Sequence, residues 1–113
     1  MKIKINYLPI LDSKTISMVR EGSVLVSSNC CYELEYYVVV KITKSFIKFK
    51  KIEYEYTEGD YTRPIMNVQD SRVYSKKIND KCIIVSQYDE DCLHIYDGES
   101  EIYNSYREAQ RER

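Results

Sequence analysis

The segment from Glu35 to Ile52, EYYVVVKITKSFIKFKKI, constrains the fold more than any other part of the chain. It contains neither glycine nor proline, and it is dense in β-branched and aromatic residues, which fit a pleated, half-buried surface. The polar residues Thr43, Lys44 and Ser45 separate two runs of such residues. The segment therefore predicts one strand, a tight turn and a second strand, and it favours a β-rich domain.

The alternation of side chains in this hairpin predicts which face of each strand is buried. Val38, Val40 and Ile42 share one face of the first strand, and three β-branched residues indicate the core side. On the second strand, lysines alternate with Ile47 and Phe49, and because lysine belongs in water, Ile47 and Phe49 are predicted to be inside. The outward side then carries Tyr37, Val39, Lys41, Phe46, Lys48 and Lys50.

Further short strands are predicted on both sides of the hairpin. Lys2 to Tyr7 alternates lysine with isoleucine, Gly22 precedes the alternating segment Ser23 to Ser28, and Cys92 to Tyr96 is followed by the turn signal Asp97-Gly98. Five to seven short strands joined by polar turns predict a mainly β fold, either a small single-domain barrel or a strongly bent antiparallel sheet. A sheet this small must curl or be covered to bury its apolar face.

A length of 113 residues fits one domain. We expect residues 1–20 to form an N-terminal strand and connector, residues 21–103 the barrel core, and residues 104–113 a polar helical tail. Asn104 or Ser105 could cap this short C-terminal helix. Because the tail is nearly all polar, the helix would either fray or bind a partner.

The formal net charge of −1 excludes a global field that would attract nucleic acid or an anionic membrane, although the charges are segregated locally. The N-terminal sequence has charged or polar residues where a signal peptide needs an apolar region, and no apolar run approaches the ~20 residues of a membrane span. We interpret the four cysteines as free thiols, and we expect a reducing, intracellular setting and no membrane partner.

Several segments together carry a resemblance to other proteins. They are residues 22–28 (GSVLVSS), residues 36–47 (YYVVVKITKSFI), and the later segments 83–85, 96–98 and 103–106. Their order resembles that of small uncharacterised β-barrel proteins of phages and other viruses, although Ser23 stands where that group has an acid, and Tyr96 where it often has tryptophan. The resemblance implies a viral or phage origin, hence a location in the host cytoplasm or the virion, and it implies no activity.

The chain contains no residue set that performs a recognisable reaction, so we expect a non-enzymatic protein without a metal or cofactor. Cys92 and His94 share a strand face, but two ligands at i, i+2 do not close a zinc site, and core cysteines with a surface histidine are the simpler interpretation. The acidic residues 89–91 occupy a turn without the spacing of an EF-hand. Three isolated glycines cannot form a phosphate-binding loop.

Two functions remain open at this point. Twelve tyrosines and the segregated charges favour an interaction module that binds protein, as a virion component or host-directed factor, through tyrosine-rich strands or the C-terminal helix. Half-buried strand positions whose hydroxyls reach water are the simpler interpretation of the tyrosines. The alternative function is nucleic-acid binding by a strand face of lysines and aromatic rings, although lysines also protect solvated sheet edges. The candidate binding residues are Tyr36, Phe46, Lys48, Lys50, Lys51 and Tyr54.

Overall fold

A computed structural model of the chain describes residues 1–12, 14–29, 32–78, 83–84 and 92–103, and nine strands of this part form one sheet. The strands are β1 (Lys2–Lys4), β2 (Val24–Asn29), β3 (Tyr32–Ile42), β4 (Phe46–Tyr56), β5 (Tyr61–Val68), β6 (Tyr74–Ile78), β7 (Ile83–Ile84), β8 (Cys92–Ile95) and β9 (Glu101–Tyr103). The helical segments of the same residues are two 3₁₀ turns, Ile5–Tyr7 and Ile16–Met18.

The sheet curls strongly into a half-barrel whose main path runs β1-β9-β5-β4-β3-β2-β8. Next to β5, strand β6 also pairs with β4, and it carries β7 on its other side. The described pairs are antiparallel apart from β1–β9, which is parallel. The prediction of a mainly β, strongly bent sheet is therefore confirmed, while the predicted helix at residues 104–113 lies outside the described residues.

The central strands are buried on both faces, and each face packs against its own core. The inner core fills the concave side of the half-barrel and consists of Ile5, Leu8, Val26, Leu34, Tyr36, Ile52, Tyr96 and Ile102. The outer core lies on the convex side and consists of Leu11, Val19, Leu25, Tyr37, Val39, Ile47, Phe49 and Leu93. Consecutive residues such as Tyr36 and Tyr37 therefore enter different cores, which explains why the run YYVVV contains no charged position.

The face assignment predicted for the first strand of the hairpin is right for Val38, which packs against the inner core, and for the exposed Lys41, but it is wrong at four other positions. Tyr37 and Val39, which were expected to point outward, are buried, whereas Val40 is 38% exposed and Ile42 is 36% exposed. Two causes combine. Both faces of β3 are covered, and a register shift between Val39 and Lys41 opposite β4 places an extra residue in β3. Such a bulge reverses the alternation of side chains beyond it.

Strands β3 and β4 have 11 residues each and extend beyond β2, which has 6. The register of β2 with β3 begins at the pair Val24–Val38. On the other side of the hairpin, β5 pairs with β4 from Ile52 onward, and β6 pairs with the turn end of β4 at Phe46–Phe49. At the turn end of the hairpin, Ile47 and Phe49 are buried in the outer core, which confirms their predicted orientation. The opposite face of the turn end of the hairpin belongs to the concave side of the sheet and lies beyond the inner core.

Residues 1–11 span the open side of the half-barrel. Strand β1 pairs with β9 at one edge of the sheet, and Ile10 forms a β-bridge with His94 of β8 at the other edge. Between these two contacts, Ile5 and Leu8 are buried in the inner core. The segment that was expected to be a strand and connector therefore also contributes side chains to the core.

Candidate functional site

One face of three neighbouring strands carries lysine side chains around an exposed phenylalanine. Lys41 of β3 lies directly opposite Lys48 of β4, and Phe46 of β4 lies opposite Lys77 of β6. Lys48 and Lys50 follow Phe46 at steps of two residues, so these side chains point to the same face of β4. We call Lys41, Lys48, Lys50 and Lys77, together with Phe46, the lysine face.

Among the described residues, no ion pair neutralises the positive charges of the lysine face. Side chains directly opposite each other in a sheet have Cβ atoms about 4.5–5.5 Å apart, so the ammonium groups of Lys41 and Lys48 repel each other. The ion pairs found in the described ranges lie elsewhere. Asp70, in the bend before β6, is exposed and accepts a hydrogen bond from the backbone N–H of Arg72 at 2.9 Å. The face is therefore a local concentration of positive charge.

Phe46 presents an apolar ring within this charged surface. The side chain is 40% exposed, although a phenylalanine in a strand is ordinarily buried. Its backbone N–H donates to Thr43 Oγ1 at 3.0 Å, and the backbone N–H of Thr43 donates to the Phe46 carbonyl at 2.8 Å. These two hydrogen bonds close the hairpin turn, so the ring stands at a defined end of β4.

Tyr36 lies in the inner core rather than on this surface. It is 0% exposed, and its hydroxyl lies 2.8 Å from Thr62 Oγ1, which donates to the Ile102 carbonyl at 3.0 Å. Burial raises the pKa of Tyr36. The rings of Tyr54 and Tyr96 pack against it, with centroid distances of 5.7 and 5.8 Å. The surface placement of Tyr36 is thus corrected, because a covered ring cannot stack on a ligand.

Lys51 and Tyr54 also lie apart from the lysine face. Lys51 is on the opposite face of β4, where its ammonium donates to Glu35 Oε1 at 2.8 Å and lies 5.7 Å from the centre of the Tyr74 ring. Burial lowers the pKa of Lys51, but the hydrogen bond and negative charge of Glu35, together with Tyr74, outweigh burial and leave the pKa raised. Tyr54 packs against the inner core, about 13 Å along β4 from Lys50. Of the predicted binding residues, the structure brings together Phe46, Lys48 and Lys50.

Two members of the lysine face were missed as site residues. Lys41 has a local signal, because a tight turn at residues 43–45 brings the ends of the two strands into register and places it near Lys48. Lys77 has no local signal, because its position opposite Phe46 depends on the return of β6 along β4. Local periodicity can therefore find the hairpin part of the site and not the part that β6 adds.

A cavity of about 320 Å³ opens on the concave side of the sheet. Val24 at the start of β2, Pro64 and Met66 in β5, and Tyr96 after β8 contribute to its lining. The Tyr96 hydroxyl donates to the Ser100 carbonyl at 2.6 Å, so the polar end of this side chain already has a partner. The lining is predominantly apolar, and we call this space the mouth cavity.

The mouth cavity and the lysine face share one side of the sheet. Val24 lies opposite Val38 in register, and Val38 lies opposite Lys50. Neighbouring strands are about 4.8 Å apart, so the Cα atoms of Val24 and Lys50 are separated by about 10 Å. A single extended ligand could therefore contact both features.

His94 is buried, which corrects its interpretation as a surface residue. Its Nδ1–H donates to the Leu8 carbonyl at 2.9 Å. Burial lowers the pKa of His94, although the carbonyls of Leu8 and Pro9 act in the opposite direction. The side chain of Cys92 and the whole of residues 30–31, 82 and 89–91 lie outside what the structure describes. Among the side chains it does describe, no group of three or more His, Cys, Asp or Glu is placed to hold a metal ion.

None of the helical segments within the described ranges has the length and apolar character needed to cross a membrane.

No protein-family model matches the chain, and neither curated proteins nor solved structures give a significant match. The viral or phage origin implied by the resemblance therefore stays a prediction.

Proposed function

We propose that the protein binds single-stranded nucleic acid through the lysine face and catalyses no reaction. The observation that supports this proposal most is a set of lysines around the 40% exposed ring of Phe46, and these lysines form no ion pair with any residue that the structure describes. Lysines in such a cluster bind phosphates and release counterions, while an exposed aromatic ring offers a stacking surface for a base. Both contacts are independent of sequence, so we expect weak sequence preference.

The exposed ring favours a single strand over a duplex. In a duplex the bases stack on each other and present only their edges in the grooves, so Phe46 could not reach the face of a base. In a single strand the bases are free to turn towards the ring. The lysines lie at steps of about 5 Å across the strands and about 7 Å along them, which distributes the positive charge along an extended backbone.

Removal of lysine charge should weaken binding and its dependence on salt together. In the double variant Lys48→Gln, Lys50→Gln we expect weaker binding of oligothymidylate, and a slope of log K against log salt that is smaller by about 0.7 per lysine. Glutamine keeps most of the side-chain stem and removes only the charge. Fluorescence anisotropy at salt concentrations of about 50–200 mM measures both quantities.

Two further variants control this experiment. Lys14→Gln removes an exposed lysine between β1 and β2, away from the lysine face, and should change neither the affinity nor the slope. Phe46→Ala should weaken binding by about fivefold or more without changing the slope, because stacking involves no counterion. The proposal is wrong if the unaltered protein binds no oligonucleotide at about 50 mM salt, or if Lys14→Gln causes the same loss as the double variant.

A second candidate function, binding of a protein partner, is supported by the N-terminal surface. Tyr7, Ile10 and Met18 are 73%, 55% and 65% exposed. The tyrosine-rich strands that first suggested this function are less accessible than expected, since Tyr36 is buried. A partner that is lost on Met18→Asp and retained on Lys48→Gln in a pull-down would favour this function over nucleic-acid binding.

A further inference from the structure

We propose that the mouth cavity holds one unpaired nucleobase of the strand that lies on the lysine face. The inference rests on the proposed function and gives the bases a second contact in addition to Phe46. The cavity volume of about 320 Å³ is at the lower end of the range of about 300–1,000 Å³ that is usual for small-molecule sites. A space of this size suits one planar heteroaromatic ring system.

The chemistry of the lining matches the flat, weakly polar faces of a base. Val24, Pro64 and Met66 offer apolar contacts, and a methionine sulfur packs favourably against an aromatic ring. Tyr96 contributes a ring to the lining, and its hydroxyl is already bonded to the Ser100 carbonyl. Unpaired bases are recognised by stacking on such rings.

The register of the sheet connects this cavity with the phosphate contacts. Val24 lines the cavity and stands in one row with Val38 and Lys50 across three neighbouring strands. A nucleic-acid strand whose backbone runs past Lys50 therefore passes within about 10 Å of the cavity. One nucleotide can then direct its base into the cavity while the adjacent phosphates stay on the lysine face.

The charges around the cavity determine on which side of it the nucleic-acid backbone lies. Gly98 lines the cavity on the side away from Lys50, and its neighbours in the chain, Asp97 and Glu99, are exposed carboxylates. These carboxylates repel phosphates, so the backbone is expected to stay on the side of the lysines. Arg63 also borders the cavity and adds a positive charge at its rim.

A coupling experiment between one protein side chain and one base tests the inference. The probes are oligothymidylates of about eight nucleotides, each with the base removed at one position and all phosphates retained. At the position that enters the cavity, loss of the base should weaken binding by about fivefold or more. Met66→Ala should weaken the binding of the intact oligonucleotide about threefold and leave the binding of the oligonucleotide without that base unchanged. The dependence on salt should not change, because no phosphate contact is altered.

Met18→Ala is the matched control, because Met18 and Met66 are similarly exposed (65% and 60%) and Met18 does not line the cavity. Photocrosslinking with 4-thiothymidine at the sensitive position should attach the strand to Met66 or Tyr96. Equal effects of Met66→Ala on both strands, or crosslinks confined to Phe46, would overturn the cavity assignment alone. Absence of binding by the unaltered protein would instead remove the proposed function and this inference with it.

Discussion

The hydroxyl of Tyr36 and the side chain of Thr62 form a hydrogen-bonded link that joins three strands inside the core. Tyr36 of β3 bonds to Thr62 of β5, and Thr62 donates to the Ile102 carbonyl of β9. A buried hydroxyl without a partner costs free energy, so the tyrosine and the threonine depend on each other. This pairing lets the chain place a tyrosine at a fully buried position.

Disruption of this link should destabilise the fold by a measurable amount. Thr62→Val leaves Tyr36 with only the longer contact to the Thr62 carbonyl, at 3.3 Å, and removes the donor to Ile102. We expect a loss of about 1–3 kcal/mol in the free energy of unfolding for Thr62→Val, and about 1 kcal/mol for Tyr36→Phe. Urea denaturation followed by circular dichroism measures both.

The exposed Tyr7 provides the control for the tyrosine hydroxyl, and Tyr7→Phe should change the free energy of unfolding by less than about 0.5 kcal/mol. The double variant Tyr36→Phe, Thr62→Val should cost less than the sum of the two single variants, since both remove the same bond. Strict additivity would show that the two side chains are not coupled.

At the scale of elements, the segment of residues 1–11 holds both edges of the half-barrel. It pairs with β9 through β1, and it meets β8 through the bridge of Ile10 with His94. The backbone N–H of Leu11 donates to the Leu93 carbonyl at 2.7 Å, which extends this contact. A short segment with contacts at two edges protects both of them from pairing with another chain.

The contact between this segment and β8 should weaken in acid. Burial lowers the pKa of His94 in the folded protein, below the value of about 6.5 for an unfolded chain. The unfolded state therefore binds the proton more tightly, so stability is complete above about pH 6.5 and falls as the pH decreases towards the folded-state pKa. The free energy of unfolding, measured by urea denaturation at intervals from about pH 8 to pH 5, should show this decrease.

His94→Asn isolates the contribution of this one group, because asparagine retains an N–H donor and does not titrate in this range. The variant should lose less stability than the unaltered protein over the same pH interval. Carboxylates titrate in both proteins and cancel in the difference. Parallel pH profiles of the two proteins would mean that His94 does not contribute to the pH dependence.

At the scale of the whole molecule, the net charge is near zero, but positive and negative charges lie in different places. The lysine face gathers its cations on one face of β3, β4 and β6, while the exposed carboxylates Asp97 and Glu99 lie beyond the mouth cavity. Opposed lysines such as Lys41 and Lys48 cost stability. A nucleic-acid strand that neutralised them would relieve this repulsion.

The proposed function therefore predicts opposite effects of one charge reversal on stability and on binding. Lys48→Glu places a carboxylate opposite Lys41 and should raise the free energy of unfolding by about 0.2–1 kcal/mol. The same variant should weaken the binding of oligothymidylate more than Lys48→Gln does, because it adds a negative charge near the phosphates. Urea denaturation and fluorescence anisotropy, performed on the same preparation, test both parts.

If Lys48→Glu gained stability without losing affinity for oligothymidylate, the repulsion between the lysines would be unrelated to the proposed function. Lys14→Glu, on the exposed connector, is the control for the general effect of charge on strand association. It should change the affinity much less than Lys48→Glu, because at physiological salt the Debye length of about 8 Å screens distant charges.

The hairpin and part of its site were predictable from local pattern. Ile47 and Phe49 are inside as expected, and Phe46, Lys48 and Lys50 share the other face. The wrong placements concern strands that are covered on both sides. Alternation separates the two faces of a strand, but it does not tell how many of them another part of the chain will cover, and so the buried position of Tyr36 was missed.

The strand, turn and strand at residues 35–52 follow from the sequence alone, because backbone preference and the two-residue alternation of side chains act over a few neighbouring positions. Pairing between distant residues decided the remainder. It brought Lys77 opposite Phe46, carried residues 1–11 across the open side, and placed the mouth cavity in one row with Lys50. Such contacts depend on which segments of the chain meet in three dimensions, and no local pattern encodes that choice.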